Sequence, residues 1–167
     1  MNTLIRNCFL IIAVILTIIT CKNTDDAVFD ETAFDISYFD QNGNDLLDPN
    51  NPESYKESDI DIYYLLDGIK VKQYQENLQF PEFFFISNEI RENKHFMVLY
   101  PNRKKLDENN RAITFINFGN NEEDKIECEF QTYENSSNIQ VVKIWYNDEL
   151  KWQHTTGGSS RWIEIIK

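Results

Sequence analysis

From residue 33 onward, apolar and polar positions alternate along the chain. Phe34, Ile36 and Tyr38 stand between Asp35, Ser37 and Phe39, and Ile60, Ile62, Tyr64 and Leu66 between Asp59, Asp61, Tyr63 and Leu65. A period of two puts each set on its own face of a pleated strand. Asp67-Gly68 separates the second run from Ile69 and Val71, and an Asp-Gly pair between alternating apolar residues predicts a hairpin. Residues 83–86, 96–100 and 113–118 are denser apolar runs, the pattern of central strands covered on both faces. Ile126, Cys128 and Phe130 alternate with Glu127, Glu129 and Gln131. Residues 141–146, Asn147-Asp148 and residues 150–152 predict a second hairpin, and 162–166 a last strand. No segment after the N-terminal leader keeps a 3.6-residue period for three turns. Short strands with turn residues between them predict an all-β fold over residues 33–167: a single antiparallel β-sandwich, Ig-like or related, with an open β-barrel as the alternative.

The first 20 residues read differently. Arg6 gives a positive end, residues 9–19 form an apolar run, and Cys21 follows directly. Such a run suits a secretory h-region, whereas a spanning helix needs roughly 18 or more apolar residues. A cysteine at that place resembles the lipobox of bacterial lipoproteins, with Thr20 standing where Gly, Ala or Ser is usual. The resemblance implies a signal peptide over 1–20, acylation of Cys21 (a palmitate-type anchor), and an acidic tether over 21–32. Lys22 followed by Asp25-Asp26 is similar to a surface-export signal of Bacteroidota-type lipoproteins; a solvated acidic linker is the other reading. The first of these implies a domain held on the outer membrane and facing outward.

Charge narrows the partners. Twenty-eight acids against 16 Lys and Arg leave the 167-residue chain at −12. A surface this acidic repels phosphate backbones and anionic lipid, which excludes nucleic acid and leaves membrane attachment to acyl chains. Cys8 falls in the leader and Cys21 is the acylation site, so Cys128 remains alone and no internal disulfide forms. Stability then rests on a core for which 12 Phe, 8 Tyr and 3 Trp supply apolar area.

Candidate chemistry is sparse. Asp40, Asn42, Asn44 and Asp48 have spacings that can present oxygens to calcium, but an EF-hand loop needs Gly at its sixth position and an acid at its twelfth. Here those positions are Asp45 and Asn51, and Asx-rich turn geometry stiffened by Pro49 and Pro52 is the commoner explanation of such a segment. Gly43-Asn44-Asp45-Leu46-Leu47-Asp48-Pro49, together with Ile144-Trp145-Tyr146-Asn147 and Trp152, resembles stretches of small Bacteroidota-type lipoproteins. That resemblance implies a lipid-anchored β-domain and carries no catalytic residue with it.

Strand alternation puts Cys128 on the apolar face with Ile126 and Phe130, where a thiol is a small hydrophobe rather than a nucleophile for His95 or His154. Neither histidine has a second ligand at zinc spacing. Gly157-Gly158-Ser159-Ser160 lacks the nucleophile-elbow pattern, and with so many acids a pair of carboxylates carries no information. Asn135-Ser136-Ser137 fits a glycosylation pattern with no role in a bacterial lipoprotein. Arg103-Lys104-Lys105 reads as a solvated turn and is the best anion contact on an acidic surface. Tyr63, Tyr74, Trp145 and Trp152 sit in or beside strands with two partly apolar faces. If Val142, Ile144 and Tyr146 face inward, Trp145 faces out with Lys143, and exposed Trp145, Trp152 and Tyr63 can anchor a glycan or protein ligand. Packing under loops is the other reading of these rings. The expected function is a lipid-anchored, non-catalytic envelope module that binds a glycan or protein. A small carboxylate-dependent envelope hydrolase and an accessory subunit of an outer-membrane complex are the alternatives.

Overall fold

The computed structural model describes residues 30–119, 122–132, 138–158 and 160–167. The leader, Cys21, Lys22, Asp25-Asp26 and Asn135-Ser136-Ser137 lie outside the described residues. Eleven strands are described: β1 (Asp30–Glu31), β2 (Phe34–Phe39), β3 (Asp61–Leu66), β4 (Ile69–Lys72), β5 (Phe84–Ile86), β6 (Met97–Leu99), β7 (Arg111–Asn117), β8 (Glu123–Thr132), β9 (Ile139–Tyr146), β10 (Glu149–Gln153) and β11 (Trp162–Ile166). Among the described residues the only helical element is one 3₁₀ turn, Glu57–Asp59.

Two sheets face each other in a β-sandwich. The larger runs β1-β9-β8-β7-β3-β4, with β10 also paired to β9, and the smaller runs β11-β2-β6-β5. Pairing is antiparallel except where β1 joins β9 and β11 joins β2. The chain therefore enters on the larger sheet, crosses to the smaller within two residues, and finishes beside that second strand.

Alternation becomes burial. Phe34, Ile36 and Tyr38 of β2, Ile62 and Tyr64 of β3, Ile126, Cys128 and Phe130 of β8, and Ile163 and Ile165 of β11 all lie in the core. Both predicted hairpins form on turns with two left-handed central residues, Asp67 and Gly68 (φ 50° and 83°) and Asn147 and Asp148 (φ 46° and 72°). Such primed turns match the right-handed twist of the strands they join.

Three features depart from the pattern. In β9 the inward set is Val141, Ile144 and Tyr146, because Phe130 pairs with Val141 while its neighbour Glu129 pairs with Lys143. Val142 is thus the extra residue of a bulge, and the two-residue phase slips there. The second departure is β5, which the apolar density of 83–86 marks as central but which lies at the edge of the smaller sheet. Phe84 reaches the core, while Phe85 stacks on Phe80 (centroids 4.0 Å apart), so the loop before β5 supplies its second cover. The third is β4. Ile69 and Val71 pair with Leu66 and Tyr64 and so share their inward face, yet they are 66% and 39% exposed.

Candidate ligand-binding site

A cleft opens next to that uncovered strip. Its volume is about 590 Å³, and its described lining comes from Thr32 and Ala33, Tyr64, Gln75, residues 78–80, Phe83, Tyr100-Pro101 and Arg103-Lys104. The size is that of sites that take small molecules. Tyr64 and Phe83 meet edge to face at 5.6 Å, and Phe80 stacks on Tyr100 at 6.0 Å, so the four lining rings pack in two pairs. Phe83 holds φ at 64°, a left-handed conformation that a bulky residue adopts only when its surroundings impose it. Two hydrogen bonds impose it here: Phe83 N–H donates to the Phe80 carbonyl at 3.1 Å, and Tyr100 N–H donates to the Phe83 carbonyl at 2.9 Å.

The basic loop forms the rim. Asn102 is fully buried and its amide donates to the carbonyls of Leu65 (3.1 Å) and Ile113 (3.3 Å), while Lys104 N–H donates to its Oδ1 at 3.0 Å. This pins the loop from beneath. Lys104 Nζ then donates to Gln73 Oε1 at 2.8 Å and lies 5.5 Å and 5.3 Å from the Tyr64 and Phe83 ring centroids, within cation–π range. Gln73 is itself buried, and its amide donates to the Val71 carbonyl at 2.7 Å. Burial pushes the Tyr64 phenol well above its usual range, against the pull of the nearby Arg103 charge, and its hydroxyl donates to the Tyr100 carbonyl at 2.8 Å.

The opposite end of the sandwich is built from the same materials and is closed. Lys167 Nζ meets both oxygens of Asp124 at 2.7 Å and Glu122 Oε1 at 2.7 Å. The same ammonium lies 4.8, 5.4 and 5.7 Å from the centroids of Phe118, Tyr38 and Tyr146. Tyr55 donates to Glu122 at 2.9 Å and packs on Phe118 at 4.3 Å. Tyr38 is fully buried, its hydroxyl has no hydrogen-bond partner among the described residues, and burial followed by the Asp124 charge pushes its phenol far up.

The three ring residues expected to bind do not come together. Trp152 is only 8% exposed and belongs to the core, which corrects its reading as an accessible anchor. Trp145 does face outward with Lys143, but the Arg111 guanidinium covers its ring at 4.2 Å and is itself held by Glu127 (2.9 Å) and Glu129 (3.2 Å). Tyr63 is half-buried on β3, opposite Phe115 and Lys72, and three strand spacings (at least about 14 Å) from Trp145. Tyr74 is exposed on the loop after β4.

The Asx-rich turn uses its oxygens internally. Asp40 Oδ1 accepts the N–H groups of Asn42 and Asn44 at 2.8 Å each, and Oδ2 accepts the Asn44 amide at 2.6 Å. Those Asn44 and Asn42 bonds hold the Asp40 carboxyl below the usual carboxylate range. Asp48 accepts from Asn50 N–H at 2.8 Å, and that bond likewise lowers its pKa. Asp45 takes both His95 N–H (2.8 Å) and His95 Nδ1 (2.9 Å), tying the turn to the smaller sheet, while Leu46 and Leu47 enter the core. Cys128 is fully buried, and burial pushes its thiol far above the range of a working nucleophile. His154 is exposed, next to Trp152.

The sequence contained two traces of the cleft: the aromatic density of Phe80-Pro81-Glu82-Phe83 ahead of β5, and the basic triplet at 103–105. What was missing was their adjacency, which depends on β3 and β6 lying in different sheets. No protein-family model, no curated protein and no solved structure matches the chain.

Proposed function

We propose that the protein is a lipid-anchored binding module of the cell envelope, acylated at Cys21, whose ligand seat is the cleft at the β3–β6 end of the sandwich. One observation carries the binding part: a roomy cleft lined by Tyr64, Phe80, Phe83 and Tyr100, with Phe83 held in a strained conformation. Strain of that kind persists where the surroundings over-determine it, and ligand clamps are among the places it collects. The anchor part rests on the leader and on Cys21. A carboxylate-dependent hydrolase needs a pair of acids beside its substrate, and none of the described lining residues is an acid. The accessory-subunit reading keeps one observation of its own, the uncovered Ile69 and Val71 on the inward face of β4.

Two measurements test the reading. Metabolic labelling with a palmitate analogue should mark the wild-type chain and not Cys21→Ser; equal labelling would remove the anchor. Retention of the full chain on an immobilised panel of neutral and acidic oligosaccharides should be lost in Tyr100→Ala. Retention that survives this change would place the binding elsewhere.

A further inference from the structure

The charge around the cleft runs against the rest of the molecule. On a chain of net charge −12, its described lining holds two cations, Arg103 and Lys104, and no carboxylate. Lys104 is placed, not loose: its stem runs over the Tyr64 and Phe83 rings and one of its three N–H donors is on Gln73. Its described partner is a neutral amide, so no carboxylate among the described residues pairs with the ammonium. Beside it stand ring faces and the side-chain amides of Gln75 and Gln79.

Resting on the binding reading above, we infer that the cleft takes a saccharide bearing an isolated carboxylate, a uronate within an otherwise neutral oligosaccharide. Each lining group answers one part of such a ligand. The C–H face of a pyranose packs on the lining rings, its hydroxyls reach the donors and acceptors of Gln75 and Gln79, and the carboxylate meets Lys104, with the Arg103 charge nearby. The overall acidity of the protein sets the upper limit on charge, because a continuous polyanion would be repelled by the surface around the mouth. An acidic peptide satisfies the cations equally but draws on backbone pairing at an open strand edge, whereas this lining is made of side chains.

The test uses the full chain and two probes, a galacturonate trisaccharide and the same trisaccharide reduced to the neutral galactose form, titrated calorimetrically at low and high salt. The expected result is about tenfold or more tighter binding of the acidic probe, with the preference shrinking in salt. Arg103→Gln/Lys104→Gln should bring the two probes to equal affinity, and Tyr100→Ala should remove both. Lys105→Gln, whose ammonium pairs with Asp67 outside the cleft, should change neither. Equal binding of the two probes by the wild type, with loss in Tyr100→Ala, overturns the acidic ligand and keeps the site. No binding of either, or binding indifferent to Tyr100→Ala, overturns both. Tighter binding of a glutamate-containing peptide than of either sugar overturns the saccharide class.

Discussion

Both ends of the sandwich seat a lysine ammonium among aromatic rings, and they differ in what faces it. At the closed end, Lys167 has a carboxylate oxygen for each of its three donors. At the open end, Lys104 has an amide. A cation matched by acids is spent on the fold, since its field ends on its neighbours. A cation matched by a neutral group costs less to hold near the surface and keeps its field directed outward. Similar parts thus make a fastening in one place and, on the binding reading proposed above, a ligand seat in the other, and the deciding feature is where the acids stand.

The comparison can be broken most sharply at the closed end. Lys167→Met leaves Asp124 buried without a counter-charge and should lower stability by about 3 kcal/mol, read as a fall in the denaturation midpoint with unchanged slope. Adding Asp124→Asn should restore part of that loss, because the orphaned charge goes with it. A drop under 1 kcal/mol would mean that the ion pair is idle.

Alkali should find the same end next. Burial pushes the phenols of Tyr38 and Tyr146 above their ordinary value of 10.0, so the folded state holds these protons more tightly than the unfolded one. Their contribution is complete below about pH 10 and drains away as pH rises beyond it. Tyrosinate absorbance from these rings should therefore appear together with loss of the β-sheet circular dichroism signal; tyrosinate formed in a chain that is still folded would contradict the burial.

Smaller effects sharpen the contrast. Tyr38→Phe deletes a buried hydroxyl that has no partner among the described residues and should leave stability unchanged or raise it by up to about 1 kcal/mol. At the open end, Lys104→Gln should shift stability by no more than about 0.5 kcal/mol, and a larger loss would make Lys104 a fastening like Lys167. Least of all should chelation matter. The Asp40 turn is closed by its own amide bonds, so a chelator should not move the melting temperature, and a fall would return calcium to that segment.

Strand order and strand faces were legible to different degrees. Where alternation is local and unbroken, as in β2, β3 and β8, sequence and burial agree at nearly every position, the exceptions being Ser37, which is buried, and Leu66, which is only half-buried, and both primed turns announce themselves as Asp-Gly and Asn-Asp. Trp152 was not legible, because its depth depends on a second register shift, between Leu150 and Trp152, in the pairing of β10 with β9. Apolar density misled at β5, since Phe85 is covered by a loop ring instead of a second strand. The cleft was the least legible feature of all. Its lining comes from segments without periodicity that pairings far apart in sequence bring together, so the aromatic density of residues 80–83 and the sign of residues 103–105 were its two traces.

The junction at Thr32 and Ala33 has a mechanical consequence. Those residues line the cleft and also form the step between β1 on one sheet and β2 on the other. Arg161 clasps the step, donating to the Ala33 carbonyl at 3.1 Å and to Glu31 at 2.9 Å. A pull on residue 30 therefore reaches that clasp before it reaches the core, and a load on anything held in the cleft arrives at the same few residues. Force passing between the two would cross the molecule by a short route along its rim, leaving the packed interior outside the line of tension.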